Sequence, residues 1–362
     1  MPTEMTFRDC LDQHARCYPL MQIQDLVKLA YQAAFAGGHM ITDTSAAQQY
    51  LQAEYKTVMQ DMSAQKPVLL FEPIGNGLCR LHLRELSRSG ISLETAGRLF
   101  ILTANEHQGT TRTLQQNLNM ISQAAAGLPL EAPLLPEAWA AYLLDYQRQG
   151  TPPVHHSERF RQAYRPAYRV VRAEFARYEP LFAAIDQALC QKPYLTVALD
   201  GNSGAGKSTL AILLNQLYGG NLFHMDDFFL QPRMRTVERL VQPGGNVDRE
   251  RFQAEIMQNL AGGKGFSYRV YDCKTQTLGF PVAVQPARFN LIEGVYSLHP
   301  EMARKYDLKV FLRTSPHKQR QRILERNGPV LYKRFLEEWI PLENQYFNAF
   351  HIEEQCDLVI ES

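Results

Sequence analysis

The sequence predicts an α/β unit, a parallel sheet with helices on both faces, preceded by a mostly α-helical unit. Three observations carry that prediction. After about residue 175, five short β-rich runs alternate with helical stretches, the pattern of a parallel sheet covered on both faces. Before that point apolar residues recur at helical spacing, a period near 3.6. Between the first β-rich run and the helical stretch behind it lies a glycine-rich loop, Gly201 to Ser208.

The bulk properties set the frame. The chain has 362 residues, enough for two domains at roughly 100–200 residues each. Apolar residues make up 45% and charged residues 21%, the mix of a globular protein with a real core. Lys plus Arg total 38 and Asp plus Glu total 37, a net charge of +1. That balance excludes a polyanion-binding tail and a disordered acidic chain and leaves room for a local basic patch; no nucleic-acid partner is expected. No apolar run reaches the ~18 residues of a membrane span, so no membrane partner is expected. MPTEMTFRDC at the start carries acids and lacks an apolar stretch, unlike a signal peptide. Cys10, Cys17, Cys79, Cys190, Cys273 and Cys356 are scattered without a CxxC. Free thiols and a cytoplasmic location are the expectation. A homo-oligomer is compatible with this reading.

In the first half, segment 20–36 places Ile23, Leu26, Val27, Ala30, Tyr31 and Ala34 at helical spacing. Segments 44–61 and 92–107 read similarly, the latter with Ser92 as a helix start. Pro129, Pro133 and Pro136 punctuate the chain before a helix over 137–148. QGTPPVHHSE at 149–158 is turn-rich. The stretch 174–191 reads as a helix leading into the first strand, and the domains are expected at 1–175 and 176–362. Gly37-Gly38-His39 looks like a helix end, and EPIGNGLCR at 72–80 like a turn. HHSERFRQAYRPAYRVV at 155–171 mixes His155, His156, Arg159, Arg161, Arg165 and Arg169 with tyrosines, as a docking linker would. A metal or phosphate site from His39, Glu72, His107 and His156 is one reading of these polar residues. Ordinary caps and core polar groups are the other.

In the second half, strands are expected at 194–199, 221–225, 288–293, 306–312 and 357–361. The loop Gly201-Asn202-Ser203-Gly204-Ala205-Gly206-Lys207-Ser208, followed by Thr209, matches GxxxxGK[ST] between a strand and a helix at 207–218. Glycines there let the backbone aim its N–H groups at a phosphate, and the helix N-terminus adds positive charge. Lys207 would reach the β and γ phosphates and the Ser208 hydroxyl would ligate Mg²⁺. HMDDFF ends the second strand with Asp226 and Asp227, where ligands bind beyond the carboxyl ends of strands. An Asp there can accept a proton from a hydroxyl nucleophile. On an extended strand end the two side chains would point to opposite sides. LIEGVY places Glu293 at a strand end, facing Ser208 across the metal. Arg320, Arg322 and Arg326 lie on one helical stretch. Arg322 and Arg326 are spaced for one face and could close over a transferred phosphoryl group.

Together these motifs resemble the group of P-loop kinases that includes uridine kinase, nicotinamide riboside kinase, phosphoribulokinase and pantothenate kinase. The resemblance covers roughly residues 178–362. It implies that Asp226 is the catalytic base, with Asp227 on the substrate side. It implies that Asp248 of NVDRERF contacts substrate hydroxyls. Tyr271, and with it Asp272, of YRVYDCKT would lie near the acceptor. It implies ATP and Mg²⁺ as cofactors and a small hydroxyl compound as acceptor; a nucleoside-like ribose is the first expectation, with pantothenate, glycerate or another sugar-like alcohol left open. A nucleotide-sensing regulatory protein, or a bifunctional enzyme with separate chemistry in the first half, is the alternative.

Overall fold

The computed structural model describes residues 5–37, 40–60, 68–260, 262–303 and 305–362. The chain divides into two compact units, Met1–Ala183 and Ala184–Ser362.

The first unit is rich in helices, among them Phe7–Cys17, Ile23–Phe35, Thr44–Gln60, Leu93–Glu106, Thr111–Ala124 and Pro136–Arg148. Their starts carry the chemistry that satisfies free N–H groups. Thr6 and Asp9 form a reciprocal capping box. Ser92 accepts from Thr95 N, and Thr110 from Thr113 N. Leu26, Leu29, Ala30 and Ala33 from one helix join Leu114, Leu118 and Ile121 from another in one buried cluster. All six cysteines are free.

This unit also holds a three-stranded antiparallel sheet in the order β1 (Phe71–Gly75), β2 (Leu78–His82), β3 (Tyr168–Arg172). The stretch 72–80 is therefore a hairpin and more than a turn. Asn76 and Gly77 have φ of 54° and 73°, the left-handed pair that a two-residue hairpin turn requires. The sequence hides these strands because every residue of β2 is buried, Arg80 and His82 included. Neither an alternating pattern nor an unbroken apolar run is left to read. The stretch 155–171 is likewise no linker. It folds into the helix Glu158–Tyr164, capped by Ser157, and then enters β3.

In the second unit the expected α/β class is observed. Its strands are β4 (Leu195–Gly201), β5 (Asn221–His224), β6 (Phe266–Asp272), β7 (Thr277–Val284), β8 (Phe289–Glu293), β9 (Leu308–Arg313) and β10 (Leu358–Glu361). Five of them form one sheet in the order β10-β9-β4-β8-β5, and every pair is parallel. β6 and β7 form a separate antiparallel hairpin. The β-rich runs read from sequence overlap the five sheet strands. Helices flank the sheet, including Lys207–Tyr218, Pro316–Arg334 and Ile340–Phe350. The second of these kinks at Gly328, whose φ is 73°, just before Pro329. Ala198, Phe223, Met225, Ile292, Phe311 and Tyr346 belong to the core. Among the described residues, no helix is long and apolar enough to cross a membrane.

β4 sits at the centre of the sheet, and its last residue is the first of the glycine-rich loop. Gly201 has φ of +137°, and a Cβ there would meet Leu312 O at 2.1 Å. Gly201→Ala is expected to destabilise the second unit by about 3 kcal/mol, combining backbone strain with a clash against strand backbone. Urea unfolding of the variant checks this, and an unchanged midpoint would contradict the close approach.

Candidate functional site

The glycine-rich loop leaves β4 at Gly201 and enters its helix at Lys207. Gly204 and Gly206 have φ of 75° and 91°, which side-chain-bearing residues rarely adopt. A Cβ on Gly206 would meet nothing within 4 Å, so the loop opens onto free space there. Lys207 is buried, and its Nζ donates to Gly201 O at 2.9 Å and Asn202 O at 3.1 Å. The ammonium is thus held inside the curve of the loop. Ala205 N donates to Asn202 O at 3.0 Å, and Thr314 N donates to Asn202 Oδ1 at 3.3 Å. Ser208 and Thr209 occupy the exposed first turn of the helix. The helix starting at Pro316 packs on the loop. A Cβ on Gly204 would stand 3.2 Å from Ile323 Cγ1, and Arg322 Nη1 donates to Gly204 O at 3.2 Å.

Beside the loop, Ser208 Oγ donates to the Glu293 carboxylate at 3.3 and 3.4 Å. Glu293 closes the wholly buried strand β8. The next residue, Gly294, has φ of +133°, and a Cβ on it would meet Met225 Cβ at 2.8 Å. Only glycine lets β8 end so close to the segment that carries Asp226. His224 Nδ1 lies 2.5 Å from Glu293 Oε1. That hydrogen bond outweighs burial and raises the His224 pKa. No motif marks His224 as a partner of Glu293.

Asp226 and Asp227 lie in a 3-10 turn, Met225–Phe228, and not on an extended strand end. The two side chains therefore do not point to opposite sides, since successive side chains there turn by about 120°. Asp226 keeps solvent access. Protein atoms still crowd its carboxyl, and that lost hydration raises its pKa, followed by the charge of Glu293. Lys207, His224 and Arg326 pull it back down. Four charged neighbours thus act on one carboxyl. Asp227 is also raised, chiefly by burial, and its carboxylate is hydrogen-bonded to Tyr268. Arg326 Nε donates to Asn327 Oδ1 at 2.9 Å, and Arg320 is exposed.

Asp248 and Tyr271 are both buried. Asp248 caps the helix Arg249–Phe252 by accepting from Arg251 N at 3.1 Å, and it faces Arg251 Nε at 3.5 Å. Tyr271 OH accepts from Arg235 Nη2 at 2.9 Å. Asp272 accepts from Lys274 N at the exposed β6–β7 turn.

Two acids escape the sequence motifs. Asp200, the residue before Gly201, is fully buried. It accepts from Gly201 N at 2.7 Å, Leu298 N at 3.0 Å and Tyr346 OH at 2.8 Å. Burial outweighs those bonds and raises its pKa to about 6. Glu343, on the helix Ile340–Phe350, accepts from Ser203 N at 3.0 Å and also from the Ser203 hydroxyl. Burial raises its pKa too. No motif spacing could flag a contact 140 residues apart.

Of the grouping of His39, Glu72, His107 and His156, the three described residues each pair with other groups. His39 lies outside the described residues. His107 Nε2 pairs with Ala34 O at 2.9 Å, His156 Nδ1 with Asp25 at 2.8 Å, and Glu72 with His82 at 3.0 Å. Among the described residues, no group of three or more His, Cys, Asp and Glu could hold a metal ion. Magnesium does not need such a cage. It prefers one or two oxygen ligands from protein, completed by phosphates and water. Ser208 and Glu293 fit that donor set.

No family model matches the chain, and no curated protein matches it. Solved structures do. A possible uridine kinase from Bacillus stearothermophilus is 22% identical, with a TM-score of 0.36, over 50% of this chain and 99% of that one. A provisionally assigned fructose transport system kinase from Silicibacter sp. TM1040 is 24% identical, with a TM-score of 0.37, over 47% and 90% of the two chains.

Asp200 makes a pH-dependent contribution to stability. Its folded pKa, about 6, lies above the ordinary 3.8, so the folded state holds the proton more tightly. Its contribution is full below pH ~4, falls as pH rises to ~6, and is constant above that. The stability of the wild type relative to Asp200→Asn should therefore fall between pH ~4 and ~6 and then stay flat. Urea midpoints across that range measure it. A relative stability that rises with pH would mean the fold favours the charged carboxylate.

Proposed function

We propose that Ala184–Ser362 is an ATP- and Mg²⁺-dependent kinase that phosphorylates a hydroxyl of a small metabolite, with the ribose of a nucleoside the first acceptor to try. One observation carries the reading. Lys207, the Ser208–Glu293 pair and Asp226 meet where the glycine-rich loop leaves the central strand of a parallel sheet. A loop alone serves many chemistries. An aspartate with a raised pKa beside it suits the abstraction of a hydroxyl proton.

Each side chain then has a task. The loop N–H groups from Asn202 to Thr209 would cradle the phosphate oxygens, with Gly206 leaving room for them. Lys207 would turn from the Gly201 and Asn202 carbonyls to the β and γ phosphates. Ser208 and Glu293 would hold Mg²⁺, which when bound neutralises charge on those phosphates. Asp226 would take the proton from the acceptor hydroxyl as its oxygen attacks phosphorus. Arg322 and Arg326, on the helix packed against the loop, would offset charge on the transferred group. Asp227, Asp248 and Tyr271 would line the acceptor side. Asp248 and Tyr271 are already held by Arg251 and Arg235, so they would act as preset polar contacts.

Lys207→Ala should reduce turnover by orders of magnitude, with the fold retained. Asp226→Asn should lower kcat by ~10²–10⁴-fold, the usual range for a general base. ATP affinity should change little in the Asp226 variant. ADP release with a panel of nucleosides and sugar alcohols measures both rates. Full activity of Lys207→Ala would overturn the kinase reading, and a dead Asp227→Asn with an active Asp226→Asn would reassign the base.

Glu343 places a carboxylate on the Ser203 N–H, a donor that a phosphate would use. Glu343→Gln removes that competing charge and should tighten ATP binding by about tenfold, given the strength of charge repulsion at partly buried sites. Titration calorimetry with a non-hydrolysable ATP analogue checks it. Weaker binding would instead make Glu343 a support of the loop.

A further inference from the structure

The first unit contains a cavity of about 770 Å³ whose lining includes Tyr18, Glu72, Arg80, His82 and Tyr168. That volume is in the range of sites that enclose a small organic ligand. Its floor is a polar network built on the β1–β2 hairpin. Glu72 and Arg80 are register partners across the two strands. Tyr18 OH donates to Glu72 Oε1 at 2.7 Å, and His82 Nε2 pairs with Glu72 Oε2 at 3.0 Å. Arg80 stands 3.8 Å from the same carboxylate, donates to Gln32 Oε1 at 3.0 Å, and stacks 4.6 Å from the Tyr168 ring centroid.

Such a network is unfavourable to bury, because each charge loses its hydration. Apolar residues would hold a hairpin to a helix at a lower free-energy cost. Here Glu72 stays ionised despite its burial, its pKa lowered to about 2 by His82, His14 and Arg80. The Glu72 bond also fixes the orientation of the His82 ring, the arrangement by which a carboxylate sets an imidazole for use.

The rim adds a second observation. Arg16, Arg84, Arg88 and Arg165 line the cavity, with Glu85 the one acid beside them among the described residues. With Arg80 and Glu72 of the floor, that makes five arginines against two carboxylates. Planar guanidinium groups bind phosphate and carboxylate oxygens in pairs. The phosphoryl-transfer reading uses none of these residues.

We propose that this cavity is a second ligand site, which binds a small organic anion bearing phosphate or carboxylate groups, with the arginine rim as its anion clamp and the Glu72-oriented His82 on its floor. The test is titration calorimetry of the full-length protein with glycerol 3-phosphate, inorganic phosphate and citrate. At least one should bind with a Kd near or below ~1 mM. The variant Arg16→Gln/Arg84→Gln/Arg88→Gln should weaken that binding by about tenfold or more. Its melting temperature should hold, because none of the three side chains is fully buried. Lys207→Ala separates this site from the glycine-rich loop and should leave the binding in place. No heat from any of the three probes at ~10 mM, equal affinity in the triple variant, or loss of binding in Lys207→Ala would each overturn the proposal. Phosphate and glycerol 3-phosphate without citrate would assign a phosphate ligand, and the reverse a carboxylate.

Discussion

Three donors from three parts of the chain converge on the fully buried carboxyl group of Asp200: Gly201 N, Leu298 N and Tyr346 OH. Each contact fixes a different piece of the second unit. The bond to Gly201 sets the first turn of the glycine-rich loop. The bond to Leu298 holds the chain after Glu293. The bond to Tyr346 locks the helix that brings Glu343, one turn earlier, against Ser203. An unpartnered carboxyl in that position would cost several kcal/mol, so the three elements are held together by the need to satisfy it.

The same site concentrates acid. Asp226 and Glu343 both feel the charge of Lys207, Asp227 and Glu293 lie beside Asp226, and burial lifts the pKa of Asp226, Asp227 and Glu343. Glu293 is accommodated by His224 and Ser208. Such an arrangement suits a site that receives cations with its substrate, because the added charge relieves the repulsion. Lys207 itself donates to the Gly201 and Asn202 carbonyls inside the curve of the loop.

The first unit solves its polar problem differently. Asp25 is fully buried but accepts from Gln22 N, Ser157 N and Ser157 Oγ and pairs with His156. These bonds join the start of one helix to the cap of another. They hold the carboxyl below its ordinary range even though burial opposes them. The Glu72 network lies at a cavity wall and carries more charge than that structural task requires. The contrast between the two clusters is what separates scaffold from site in this unit.

The second unit was legible in the sequence because its signals are local. A glycine-rich loop needs its glycines in order, and short β runs between helices leave a parallel sheet as the compact arrangement. The first unit was only half legible. Its helices showed their period, but the buried Glu72, Arg80 and His82 break up the apolar pattern of β1 and β2. β3 lies far along the chain from them, and His82 meets Tyr168 in the β2–β3 register only through folding. What the sequence by itself determined is the glycine-rich loop, the parallel sheet and the acids that follow its strands, because each is written in residues close together in the chain. What only the tertiary structure decided is which distant groups those residues meet. Asp200 with Tyr346, Ser203 with Glu343, His224 with Glu293, and Glu72 with Tyr18 are all contacts between segments far apart in sequence. Spacing carries no information about such pairs. They form because a buried polar group must find its partner wherever the fold brings one within reach.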